Sequence, residues 1–170
     1  MPGKKKNLSA VRHIVLQEAE SLHIGILVSQ WNEEVTYAMR DAAVKTLMSS
    51  GIKKKNILIQ EVPGSFELPA AAQMMAELTD VSAVICIGCV IQGETRHFEF
   101  ISQAVANGVM RVGLDQKIPV VFGVLTTDTY QQARERAGGK HGNKGVEAAA
   151  AALKMIALND YFFGLFEQTL

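Results

Sequence analysis

A chain of 170 residues, 48% of them hydrophobic, suits one domain and can bury a full core. Its 17 basic and 17 acidic side chains cancel, so no bulk field favours nucleic acid, and the sequence has no basic stripe interleaved with aromatics. The start, MPGKKKNLSA, is basic without the apolar stretch of a secretory signal, and no apolar run is long enough to span a bilayer; a cytoplasmic protein with no membrane partner is expected.

Strand and helix signals alternate from Ile24 to Leu158, the pattern of βαβ units and a parallel sheet. Ile24 to Val28 reads as the first strand. Asn32 is placed to cap a helix running to about Ser50, with Val35, Met39, Ala42, Ala43 and Leu47 on its apolar face and Gly51 at its end. Ile57 to Val62 reads as a second strand. Pro63-Gly64-Ser65 then turns into a helix containing Leu68, Met74, Met75 and Leu78, with Pro69 in its first turn, where a missing N–H costs little.

The third strand carries the most information. In SAVICIGCVIQGETRHF, Ser82 to Phe98, a run without strand-splitting charge stops at Gly93, which is read as letting the chain turn sharply. Glu94, Thr95, Arg96 and His97 follow, and Phe98, Ile101, Val105 and Val109 then recur at helical spacing. The polar tetrad therefore opens a helix whose unpaired N–H groups favour an anion, a phosphate first of all. His97 stands within a turn of that anion, close enough to move protons on the same bound molecule. For one isolated turn, a solvated helix start with an incidental histidine is the simpler reading.

Within this strand Cys86 and Cys89 form a C-x-x-C. Three residues apart on a strand, their side chains point to opposite faces, and no second Cys/His pair completes a zinc tetrahedron. Redox dithiols sit at helix starts rather than inside apolar runs, so two buried reduced thiols are expected.

Pro119 introduces a fourth buried strand, Val120 to Leu125, followed by Thr126-Thr127-Asp128 as cap residues for a short helix near Tyr130 to Ala137. Gly138, Gly139, Gly142 and Gly145 interrupt the pattern before an alanine-rich helix from about Lys144 to Leu158. The whole chain, 1–170, reads as one domain with a core at 24–158, an N-terminal arm at 1–23 and an apolar tail at 159–170. In the arm, Val11 to Leu16 could pair as an edge strand. In the tail, Tyr161, Phe162, Phe163, Leu165 and Phe166 crowd a segment too short for its own core, either docked on its own subunit or marking an interface.

Ligands of open parallel sheets bind beyond the carboxyl ends of the strands. After the first strand come Gln30, Trp31 and Asn32, with an aromatic placed to stack on a planar ring. After the second comes PGSFELP, where Ser65, Phe66 and Glu67 put amides, a ring and a carboxylate at a helix start. Taken singly, edge packing for Trp31 and simple capping for the second turn would suffice. Phe122, inside the fourth strand, is a core residue unless it faces a cleft. Arg134, Arg136, Lys140 and Lys144 gather around the glycines, but GGKHGNKG fails the P-loop pattern: no Ser or Thr follows the lysine and no strand precedes it. No G-x-G-x-x-G follows any strand, so dinucleotide binding has no support. Catalysis would be general acid-base and electrostatic.

These blocks occur together in one family. The chain resembles lumazine synthase, through Trp31-Asn32, VPGSFELP at Val62 to Pro69, GCVIQGETRHFEF at Gly88 to Phe100, PVVFGVLTTDT at Pro119 to Thr129, and QARERAGGKHGNKGVEAA at Gln132 to Ala149. The resemblance covers about Ile24 to Leu158. It implies a flavodoxin-like three-layer α/β sandwich with a four-stranded parallel sheet. The implied reaction is a cofactor-independent condensation of 5-amino-6-(D-ribitylamino)uracil with 3,4-dihydroxy-2-butanone 4-phosphate, giving 6,7-dimethyl-8-ribityllumazine, phosphate and water, the penultimate step of riboflavin biosynthesis.

By the same resemblance Trp31 and Asn32 lie at the pyrimidine, and Ser65, Phe66 and Glu67 with Cys89, Val90 and Ile91 hold the ring and ribityl chain. Gly93, Glu94 and Thr95 present amides to the phosphate, helped by Arg136 and Lys144, and His97 is the proton shuttle. Phe122, Arg136 and Lys144 come from a neighbouring subunit. Two positions depart from the family pattern: Gln92 stands where a basic residue is frequent, and Arg96 where a small residue, Thr or Pro is common. The family forms pentamers, some of them closing twelve into a 60-subunit icosahedral shell. The compact connection from Ala137 to Asn143 points to a shell, with the N-terminal segment adding a strand to a neighbour's sheet. Riboflavin synthase is an implied partner. A binding protein for flavin or lumazine, or a shell protein with a vestigial site, would use the same scaffold; His97, Glu94-Thr95 and Arg136 together favour the enzyme.

Overall fold

The computed structural model describes Ser9, Leu16 and residues 18–168. Four strands, β1 (Ile24–Ser29), β2 (Ile57–Val62), β3 (Ala83–Ile91) and β4 (Val120–Thr127), form one parallel sheet in the order β2-β1-β3-β4. Every residue of β1 and the first seven of β3 are buried, which is why these two segments read as unbroken apolar runs. β2 and β4 are the edges, and most of β2 is exposed.

Helices cover both faces. Helices α1 (Glu33–Ser49) and α5 (Lys144–Glu167) pack on one, where Val35, Met39, Ala43 and Leu47 meet Ala148, Ala149, Ala152, Leu153 and Ile156 over Ile24, Ile26, Ile85 and Ile87. Helices α2 (Leu68–Leu78) and α3 (His97–Gln116) pack on the other, where Leu68, Ala72, Met75, Val105, Val109 and Val112 meet Leu27, Val84, Cys86 and Val124. Helix α4 (Tyr130–Arg136) and a small hairpin of β5 (Ala137–Gly139) and β6 (Gly142–Asn143) lead into α5. Gly138, Gly139 and Gly142 lie in this hairpin, and Gly145 is the second residue of α5.

Cys86 belongs to the α2/α3 core and Cys89 to the α1/α5 core, opposite faces of one strand as their spacing requires. Both thiols are free, and burial pushes Cys86 up to about 12 and Cys89 up to about 11.

Several local expectations are corrected. Asn32 precedes α1 but makes no side-chain cap; it takes left-handed backbone angles, φ 60 and ψ 44, and spends its amide elsewhere. Thr126 and Thr127 are still in β4, and the cap of α4 is Thr129, in a capping box with Gln132. Gly93 does not adopt a positive φ. A methyl group there would meet nothing within 4 Å, so its missing side chain leaves open space above the turn.

The tail at 159–168 is no separate segment: α5 continues through it, with Tyr161, Phe162, Phe163, Leu165 and Phe166 exposed. Helix α5 is long and apolar enough by length and composition to cross a membrane, against the expectation from sequence. Its alanine-rich first half is buried between α1 and the sheet, as a core helix would be. Of the expected edge strand Val11 to Leu16, residues 11–15 lie outside the described residues, and Leu16 is buried in the α1/α5 core.

Candidate active site

The order β2-β1-β3-β4 reverses direction between β1 and β3, and at that switch point the carboxyl ends of adjacent strands send their chains to opposite faces. β1 continues into α1 on one face and β3 into α3 on the other. The turns after β1, β2 and β3 therefore border one crevice, and these are the turns that carry Trp31, Ser65–Glu67 and Gly93–His97.

Each wall is held by identifiable bonds. The β1 turn is stitched by the Ser29 hydroxyl, which donates to the Trp31 carbonyl at 3.2 Å, and by the Thr36 hydroxyl, which donates to the Ser29 carbonyl at 2.8 Å. The Asn32 side-chain amide crosses the crevice and donates to the Cys89 carbonyl at 3.0 Å. Trp31 itself is 72% exposed, so its indole is offered to whatever occupies the crevice and is not sealing the core.

The second wall is a 3-10 turn, Ser65–Glu67, pressed onto β3. Gly88 makes the approach possible: a methyl group there would lie 2.5 Å from the Ser65 hydroxyl and 3.0 Å from Leu68 Cδ1. Ser65 is buried against the strand while Phe66 and Glu67 are exposed. A methyl on Gly64 would stand 3.1 Å from the Glu67 carboxylate and 3.5 Å from the Trp31 ring, so Gly64 is where the first two walls meet. An indole and a carboxylate thus share one end of the crevice, an arrangement suited to a flat polar heterocycle.

The third wall is the turn after β3. The Gln92 amide extends the β3–β4 pairing by one bond, to the Thr127 carbonyl at 2.8 Å. Among the described residues no acceptor takes the amides of Gly93, Glu94, Thr95 or Arg96. Glu94 to Arg96 form a turn, and α3 begins at His97, not within the polar tetrad. The His97 amide lies 3.4 Å from the Thr95 hydroxyl. Four successive free amides lead into the N-terminus of a helix of 20 residues, with exposed His97 as its first residue. Such a turn is chemically able to take an anion, and an imidazole beside it is able to exchange protons with the same molecule.

Cys89, Val90 and Ile91 line the end of β3 between these walls, with Cys89 buried and the other two partly so. Three predicted residues are not brought into the crevice. Phe122 pairs with Cys86 in the middle of β4, three residues short of the partner of Cys89, and packs partly buried toward α3. Arg136 and Lys144 lie on the α1/α5 side. There Arg136 binds Glu147 at 2.8 Å and the His141 carbonyl, and Lys144 stands 3.7 Å from the same Glu147. The other two cations of the glycine region are paired as well, Arg134 with Glu34 at 3.3 Å and Lys140 with Glu135 at 3.2 Å. Lys140, with Gln131 and His141, holds the Glu135 carboxyl below its ordinary value.

Glu147 escaped the sequence reading although its place four residues into α5, three after Lys144, is a helical ion-pair spacing. Tyr130 escaped it too. Its hydroxyl donates to Glu34 in the first turn of α1, and that carboxylate raises the phenol above its ordinary range.

The sequence model of the 6,7-dimethyl-8-ribityllumazine synthase family matches residues 21–160. The chain is 53% identical over 157 residues to the 6,7-dimethyl-8-ribityllumazine synthase of Cytophaga hutchinsonii, covering 92% of this chain and 98% of that one. It is 49% identical over 152 residues to the enzyme of that name in Porphyromonas gingivalis, covering 89% and 94%. The corresponding Bacteroides fragilis protein is 50% identical over 135 residues, covering 79% and 94%.

Proposed function

The chain belongs to the 6,7-dimethyl-8-ribityllumazine synthase family, and from that premise we propose how its residues divide the work. The enzyme is a transferase of riboflavin biosynthesis. It condenses 5-amino-6-(D-ribitylamino)uracil with 3,4-dihydroxy-2-butanone 4-phosphate to 6,7-dimethyl-8-ribityllumazine, phosphate and water. The observation that carries the division of labour is the run of unpaired amides at Gly93 to Arg96 ending on His97, across the crevice from Trp31 and Glu67.

In this reading the pyrimidine stacks on Trp31, with Asn32, Ser65, Phe66 and Glu67 and the β3 residues Cys89, Val90 and Ile91 around the ring and ribityl chain. The four-carbon phosphate rests on the amides of Gly93, Glu94 and Thr95. An amine adds to a ketone, water leaves, phosphate is eliminated, and the ring closes with loss of a second water. Each step moves a proton, and His97 is the group beside the phosphate that gives and takes it. Phosphate departs as a highly charged anion, so amides already aimed at it stabilise charge where it develops. Holding two reactants side by side supplies much of the remaining acceleration.

Phe122, Arg136 and Lys144 serve the crevice of a neighbouring subunit. Their separation from their own crevice supports this, as do the open β4 edge and the exposed Met110, Leu114 and Met155 beside Phe122. A ring of five subunits would complete each site, twelve such pentamers would make a shell, and riboflavin synthase would consume the product; a cytoplasmic setting fits this role. The test is the two-substrate assay on purified protein, following lumazine absorbance. Wild-type protein should exceed the uncatalysed rate and His97→Ala should lose on the order of 100-fold in kcat, the low end of a general acid–base contribution. A His97→Ala rate equal to wild type would remove the histidine from the mechanism.

A further inference from the structure

We infer that Tyr130 and Glu34 are positioning residues for Trp31, a clasp that sets the ring-binding side of the site; this rests on the reading that Trp31 stacks on the pyrimidine. The indole is largely free of its own subunit, so its direction is inherited from the turn that carries it. Besides the Thr36–Ser29 bond and the Gln30 bonds to β2, three tethers hold that turn among the described residues. Two come from the sheet itself: the Ser29 hydroxyl on the Trp31 carbonyl, and the Asn32 amide on the Cys89 carbonyl. The third comes from outside it. Glu34, three residues after Trp31, accepts the Tyr130 hydroxyl and lies 3.3 Å from Arg134 Nε, both on α4.

The geometry suits a clasp. β1 and β4 flank β3 on either side, so a bond from the start of α1 to the start of α4 spans the end of β3. Tyr130 is the first residue of α4 and sits inside the Thr129–Gln132 capping box, whose reciprocal bonds fix the post from which the phenol reaches. A phenol donating to a carboxylate is a charge-assisted bond and holds direction as well as distance. Stacking depends on the ring face standing parallel to its ligand, and a misplacement of about 1 Å at a site group can cost on the order of 100-fold.

Trp31 is the one tryptophan of the chain, so intrinsic fluorescence reports this residue alone. The experiment titrates 5-amino-6-(D-ribitylamino)uracil by itself into the assembled wild-type enzyme and into Tyr130→Phe and Glu34→Gln. Trp31 quenching is expected in wild type. Tyr130→Phe should raise the Kd and KM for this substrate about fivefold, with kcat and the KM for the phosphate-bearing substrate within about twofold, the split expected for loss of ground-state positioning. Trp31 anisotropy in the free protein should fall. Glu34→Gln keeps an acceptor for the phenol and should bind within about twofold of wild type. If Tyr130→Phe does not fold, Glu34→Ala removes the same acceptor and should give the same rise in Kd. Wild-type Kd and anisotropy in Tyr130→Phe would overturn the clasp. So would Glu34→Gln impaired while Tyr130→Phe is not, which would assign the effect to the Arg134 ion pair. Absence of quenching in wild type would instead overturn the stacking of Trp31, with anisotropy still reading the clasp.

Discussion

The side chain of Asn32 donates to the backbone carbonyl of Cys89 at 3.0 Å, joining the turn after β1 to the end of β3 across the crevice. Asn32 holds φ 60, a left-handed conformation that asparagine tolerates better than most residues. One residue thus supplies both the turn and the tether. Asn32→Gly should keep the backbone and lose the bond, costing about 1 kcal/mol. Asn32→Ala should lose the bond and add left-handed strain, for about 2–3 kcal/mol in all. Denaturant unfolding of the two variants checks this, and a glycine variant less stable than the alanine one would show that the backbone angle is not what asparagine provides.

Gly88 is the second close fit. A methyl group there would stand 2.5 Å from the Ser65 hydroxyl and 3.0 Å from Leu68, both on a well-packed face. Gly88→Ala should push the Ser65–Glu67 turn off β3, destabilise the protein by about 1–3 kcal/mol and raise the KM for the pyrimidine. Ser65→Ala should recover part of the loss in the double variant, because the nearest clashing atom is gone. Strictly additive effects would show that the two residues do not meet.

The cation cluster gives a third test. Glu147 is only 15% exposed and holds both Arg136 and Lys144. Glu147→Ala should cost on the order of 2 kcal/mol, below the range for fully buried pairs because Arg136 retains some solvent and the His141 carbonyl. In the two-substrate assay the KM for the phosphate-bearing substrate should rise while that for the pyrimidine stays put. An equal rise in both would separate this cluster from the phosphate.

The fold was legible in the sequence because period and punctuation agreed. β1 and β3 are buried on both faces and therefore read as continuous apolar runs, and the alternation with helices fixed a parallel sheet. The crevice was legible as three turns, since each follows a strand. What could not be read were the long-range side-chain bonds. Nothing local marks Asn32 as a tether to Cys89, 57 residues away, and local capping preference pointed to the wrong use of it. Tyr130 and Glu34 are 96 residues apart and meet only because β4 returns beside β3. The length of α5 was misjudged for a different reason. Its end is exposed and aromatic, so the periodicity that marks a core-facing helix fades after Ile156 while the backbone hydrogen bonding continues.

The two cysteines supply the last prediction, with its sign fixed by burial. Desolvation raises Cys86 to about 12 and Cys89 to about 11, from an ordinary value of 9.0. The folded protein therefore holds these protons more tightly than the unfolded chain does. Their contribution to stability is whole below pH 9 and is lost as the pH climbs through about 11 to 12. At pH 8 the thiolate fraction is negligible in the native state, so both residues should resist a disulfide reagent until denaturant is added, after which two thiols per chain react. Cys89, whose carbonyl anchors Asn32 and which borders the crevice, should be the first of the two to label as the pH is raised. Rapid labelling of Cys86 at pH 8 in the native protein would mean that β3 opens to solvent, contrary to its complete burial here.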